Sequence, residues 1–80
     1  MNKAKILIAD DELSMTNALS AILTGEGYEV AVALDGKKAL DQLGSESFGV
    51  VLADLKMPKL DGLALLKELQ RLAIPTECII

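Results

Sequence analysis

An α/β fold, with a parallel sheet and helices on both faces, is predicted by the alternation of short aliphatic runs with helical patterns along the 80 residues. Each connection is only a few residues long, as strand-helix-strand crossovers require. Acidic residues stand just past two of the runs, where open sheets of this kind collect their functional groups.

The first run, Lys5–Ala9 (KILIA), reads as a buried strand and is followed by Asp10-Asp11-Glu12. Leu13, Met15, Ala18, Leu19, Ile22 and Leu23 recur at helical spacing and predict a helix over 13–24, with Gly25 as its stop. After the turn GEG, the β-branched stretch 28–33 predicts the second strand. Asp35-Gly36 opens a second helix with Ala39, Leu40 and Leu43 on one face and Gly44 past its end. The third strand is expected over 48–53, with Asp54 at its carboxyl end. Met57-Pro58 disfavours helix in the loop that follows. A third helix is expected from about Asp61-Gly62, with Leu63, Leu66, Leu69 and Leu72 or Ala73 as its core face and Pro75 as its breaker. TECII then begins a fourth strand.

Composition narrows the function. Residues are 51% hydrophobic and 25% charged, those of an ordinary globular chain. A chain of this length is one small domain at most, burying about 60% of its extended surface. The net charge is −4, and Lys37-Lys38 is the largest basic cluster, so phosphate-backbone binding by this segment is not expected. Tyr28 and Phe48 are the only aromatics, too few for a stacking platform. Without histidine, the chain can build neither a His-ligated metal site nor a Ser-His or Cys-His catalytic pair by itself. The lone Cys78, and the want of a signal peptide or a long apolar segment, make the cytoplasm the expected compartment.

If the first and third strands are neighbours, Asp10, Asp11 and Asp54 converge. Three carboxylates in one cleft repel one another unless a cation or proton offsets part of their charge. Magnesium suits such a set, taking one or two carboxylates and leaving other positions to water and phosphate oxygens. An aspartate beside such an ion can act as a nucleophile and form an aspartyl phosphate. Taken alone, Asp10 and Asp11 would read as acids favoured at a helix N-terminus, and Asp54 as a turn residue. Their joint placement favours the metal. Asp61 reads as the cap of the third helix. GEG is a turn, because it follows a helix and precedes a strand, the reverse of a dinucleotide loop. Lys56 and Pro58 stand where a calcium loop needs oxygen ligands.

The DDE after the first strand and DLKMPKLDG after the third closely resemble the receiver domain of bacterial two-component response regulators. The resemblance spans the whole chain, about the first two thirds of a receiver of ordinary size. It implies a flavodoxin-like fold with strand order 2-1-3-4-5, here ending after the fourth strand. Residues 1–80 would be a partial receiver domain. The family's roles carry over to Asp54 as phosphoacceptor, Asp11 as direct Mg2+ ligand, Asp10 as an acid acting through water, and the main-chain carbonyl of Lys56 as a further ligand. Also implied are a phosphorelay with a sensor histidine kinase as phosphoryl donor, an output domain in the full-length parent that is often DNA-binding and regulates transcription, and no enzymatic turnover. The family's switch Ser or Thr and its Lys would follow the fourth and fifth strands, beyond Ile80.

Two other readings compete. One is a folded but non-switchable fragment active only in metal binding or self-association. A homodimer through the strand-four edge or the uncovered sheet face is the form that association would take. The other is a magnesium-dependent aspartyl phosphohydrolase, whose D-x-D pattern is broken here by Lys56.

Overall fold

The computed structural model describes residues 5–54 and 61–79. Its elements are β1 (Lys5–Ala9), α1 (Leu13–Gly25), β2 (Glu29–Ala33), α2 (Gly36–Ser45), β3 (Val50–Ala53), α3 (Gly62–Arg71) and β4 (Glu77–Ile79). The strands form one parallel sheet, as the alternating pattern predicts, in the order β2-β1-β3-β4 that the receiver resemblance implies.

The helices divide between the two faces. On one side, Leu7, Ala9, Val51 and Ala53 pack with Ala39 and Leu43 of α2, Leu65 and Leu69 of α3, and Phe48. Ile6 and Ile8, buried on the alternate side of β1, face α1, which lies along β1 and β2. Lys5 fastens the opposite end of the sheet. Its Nζ pairs with Glu46 at 3.0 Å and Glu29 at 3.9 Å and lies 5.1 Å from the centre of the Phe48 ring.

Several boundaries differ from the sequence expectation. Phe48 lies outside β3 yet is buried, because the chain joins the ladder only when Gly49 donates to the Lys5 carbonyl. Gly44 lies inside α2. Gly25 is the last residue of α1, and the reversal is made by Gly27 at φ 94°. Pro75 does not break α3 either. The helix ends at Arg71 and the chain turns at Ala73, in the left-handed region at φ 54°.

The core faces of two helices also change. Gly62, Leu65 and Leu69 are the buried residues of α3, whereas Leu63 and Leu72 are about half exposed. Leucines at strict three-residue spacing drift about 60° per step around a helix of 3.6 residues per turn, so they cannot share one face. In α1 only Thr16 is fully buried, while Leu13, Met15 and Ile22 are exposed.

Candidate metal and phosphoryl site

Three strands end level. Ala9 of β1 is in register with Ala33 of β2 and with Ala53 of β3. The next residues of β1 and β3 are therefore delivered side by side. Asp10 N–H donates to the Ala33 carbonyl at 3.1 Å, and Asp54 N–H to the Ala9 carbonyl at 2.8 Å. The ladder thus extends one residue beyond the strands and holds the backbone of both acids.

Side chains alternate along a strand, so Asp10 and Asp54 follow Ile8 and Leu52 toward the α1 side. Asp11 opens the turn into α1. One carboxylate oxygen from each of Asp10, Asp11 and Asp54 lies within 4.8 Å of the other two. Asp10 and Asp54 are half-buried and Asp11 is exposed. Asp10 Oδ1 accepts the Glu12 N–H at 2.9 Å, which fixes the rotamer and leaves Oδ2 unengaged by that bond. Among the described residues no lysine or arginine pairs with any of the three. Such a set of hard oxygen donors, short of counter-charge, suits a hard divalent cation.

The fourth expected ligand, the Lys56 carbonyl, lies outside the described residues, as do Met57 and Pro58. Asp61 is not in the cluster. Its Oδ1 accepts the Ala64 N–H at 2.9 Å and caps α3, as its position predicts.

A groove of about 180 Å³ adjoins the carboxylates, with Asp10 and Asp54 at one end and Ile8, Leu19, Leu52 and Ile79 among its walls. Leu19 and Ile79 come from distant parts of the chain, and no local pattern announces that they meet. The shared Ala ends of β1, β2 and β3 are visible in sequence as Ala9-Asp10, Ala33-Leu34 and Ala53-Asp54, but their register is not.

Residues 6–80 match the family profile described as the response regulator receiver domain. The transcriptional regulatory protein ZraR of Escherichia coli K12 is 46% identical over 72 residues, covering 88% of this chain and 16% of that protein. A CpxR homolog of Haemophilus influenzae is 41% identical over 70 residues, covering 88% of this chain and 30% of that protein. The chain thus spans less than a third of the length of these curated relatives. Among solved structures, the receiver domain of the Francisella response regulator 1452 superposes with a TM-score of 0.91 at 34% identity, over 95% of this chain and 63% of that one. Response regulator TrrA of Thermotoga maritima, in complex with Mg2+-BeF, gives 0.89 at 31% identity, over 100% of this chain and 68% of that one.

Proposed function

The chain belongs to the response regulator receiver domain family, and on that premise we propose that residues 1–80 are part of one receiver domain that accepts a phosphoryl group on Asp54. The donor is the phosphohistidine of a sensor kinase. The observation that carries this reading is the cluster of Asp10, Asp11 and Asp54 oxygens within 4.8 Å at adjoining strand ends.

In the transfer, an Asp54 carboxylate oxygen attacks phosphorus, a P–O bond forms, and the P–N bond to the imidazole breaks. The imidazole leaves with the bonding electron pair and takes up a proton. Asp10 and Asp11, with Asp54 and the Lys56 carbonyl, would hold Mg2+. When bound, that ion offsets negative charge on the phosphoryl oxygens. The ladder bond to Ala9 keeps Asp54 at the strand end, and the Glu12 N–H keeps Asp10 turned to its place. Phosphorylation adds charge and acceptor oxygens at this end of the sheet and biases an equilibrium between conformations.

The family is regulatory rather than enzymatic, and relatives named as transcriptional regulators support an output module that acts on DNA in the parent protein. None of the described helices is long and apolar enough to cross a membrane; the compartment proposed for this chain is the cytoplasm.

The test is incubation with Mg2+ and acetyl phosphate, read by intact mass. One phosphoryl group should add to the wild type and none to Asp54→Asn. An unmodified wild type, with its fold intact by circular dichroism, would favour the non-switchable fragment. Sustained release of phosphate from simple phosphate esters would favour the hydrolase.

A further inference from the structure

Along α1, Leu19 and Leu23 are half-buried and Leu13, Met15 and Ile22 are exposed, and the one side chain buried completely is Thr16, at 0% exposure. Leu13 and Met15, which precede it in the first turn, remain 57% and 45% exposed. The Thr16 hydroxyl donates to the Leu13 carbonyl at 2.9 Å, so its polar atom is satisfied within the helix. Helix α1 packs on β1 and β2, and the fully enclosed Thr16 is a compact β-branched side chain seated under the first turn of the helix.

That seat lies next to the acidic cluster along the chain. Only Asp10, Asp11 and Glu12 separate the end of β1 from the start of α1. Asp10 is tied to the sheet through the Ala33 carbonyl, and Thr16 N–H donates to the Glu12 carbonyl at 3.1 Å. The short link is thus fixed at one end by the ladder and at the other by the turn that Thr16 seats. Among the described residues no hydrogen bond or ion pair holds the exposed Asp11 carboxylate, so its place follows the height of that turn.

We propose that Thr16 is a positioning residue for the acidic site. The small seat brings the first turn of α1 close to the sheet and so sets the distance of Asp11 from Asp10 and Asp54. This rests on the reading of the cluster as a cation site. Interiors are close-packed, so a longer side chain at position 16 displaces the turn instead of being absorbed. A shift of about an ångström is enough to loosen a ligand set.

The test is a titration of the full 80-residue chain with Mg2+ alone, followed through the backbone amide resonances of Asp10, Asp11 and Asp54. Thr16→Val keeps the shape and should bind within about twofold of wild type, whereas Thr16→Leu should bind about tenfold more weakly, as a displaced supporting residue does. Leu69→Val, on the other face, should lower stability and leave Mg2+ affinity unchanged. If Thr16→Leu does not fold, Thr16→Ile, one methylene larger than Val, should weaken binding several-fold by the same logic. A folded, enlarged variant that binds like wild type overturns the proposal, as does a Leu69→Val variant weakened to the same degree. A wild type whose resonances do not respond to Mg2+ overturns both this proposal and the cation reading. A responsive wild type with equally responsive Thr16 variants overturns the proposal alone.

Discussion

Helix α3 buries Gly62, Leu65 and Leu69 against the α2 side of the sheet, whereas α1, on the opposite face, buries only Thr16 and leaves Leu13, Met15 and Ile22 in solvent. Their N-termini differ in the same sense. Asp61 caps α3 with a 2.9 Å bond to Ala64 N–H, while Glu12 at the head of α1 makes no side-chain cap. The firmly packed helix fills the core, and the lightly packed one follows directly on Asp11 and Glu12. A domain this small has little stability to distribute, and regions with few buried contacts are the ones that open first. The acidic site is therefore built partly on strand ends held by the ladder, through Asp10 and Asp54, and partly, through Asp11, on the link into a lightly packed helix.

The largest effect should come from deepening that contrast. Leu65 is 0% exposed, and Leu65→Ala should cost roughly 2–5 kcal/mol through lost burial and a residual cavity. Against a typical total of about 5–15 kcal/mol, that removes much of the fold's stability. Ile22 is 62% exposed, so Ile22→Ala should stay within about 0.5 kcal/mol of wild type. Urea unfolding of the two variants checks both. Equal losses would show that α1 is packed as tightly as α3.

Next in size are the N-caps. Asp61→Ala should cost about 1 kcal/mol, because the Ala64 N–H loses its acceptor. Glu12→Ala removes no cap bond and should change stability by less than about 0.5 kcal/mol. Thermal unfolding of the pair separates them, and a costly Glu12→Ala would mean that α1 relies on its first turn more than its hydrogen bonds indicate.

The difference between the two helices also marks what can be read without coordinates. The parallel sheet and the placement of Asp10, Asp11 and Asp54 at strand ends were legible, because aliphatic runs broken by short helical patterns leave few topologies and place the residues after each run at one end. That β1 and β3 are neighbours, so that the three acids meet, came from the resemblance of DDE and DLKMPKLDG to the receiver family. The burial face of α1 was not. Leu13, Met15, Ala18, Leu19, Ile22 and Leu23 spread around much of the helix, and nothing local marks a threonine as the seat. In α3 the evenly spaced leucines suggested a stripe that helix geometry cannot keep on one face. The turn at Ala73 was hidden for a related reason, since sequence offers Pro75 as the obvious stop and no glycine at the reversal.

That reversal allows a finer comparison, because both helices end in the same motif. Tyr28 N–H donates to Leu23 O and Gly27 N–H to Thr24 O after α1; Ile74 N–H donates to Leu69 O and Ala73 N–H to Gln70 O after α3. The left-handed position is glycine in one and alanine in the other, at φ 94° and φ 54°. A Cβ there costs roughly 1–2 kcal/mol, partly offset because glycine has more freedom to lose on folding. Gly27→Ala should therefore destabilise by about 1 kcal/mol, and Ala73→Gly should stabilise by several tenths of a kcal/mol. Here α1 holds the better end, so an unchanged midpoint for Ala73→Gly in urea would mean that the α3 turn is not strained at that residue.

The smallest effect concerns neighbours on β4 that sample the two faces. Cys78 packs against the α2 and α3 core, while Ile79 lines the groove on the α1 side and is 56% exposed. Burial raises the pKa of the Cys78 thiol above its ordinary value of 9.0, since the thiolate would have to form away from water. Alkylation of the folded chain should then climb with pH to a plateau reached at higher pH than in urea-unfolded chain, where the thiol titrates normally. The sign for stability follows from the same shift. The folded state retains this proton more tightly, so its contribution is complete below the unfolded pKa and is lost as pH rises through the folded one. Identical alkylation profiles for folded and unfolded chain would place Cys78 in water and remove β4 from the well-packed side.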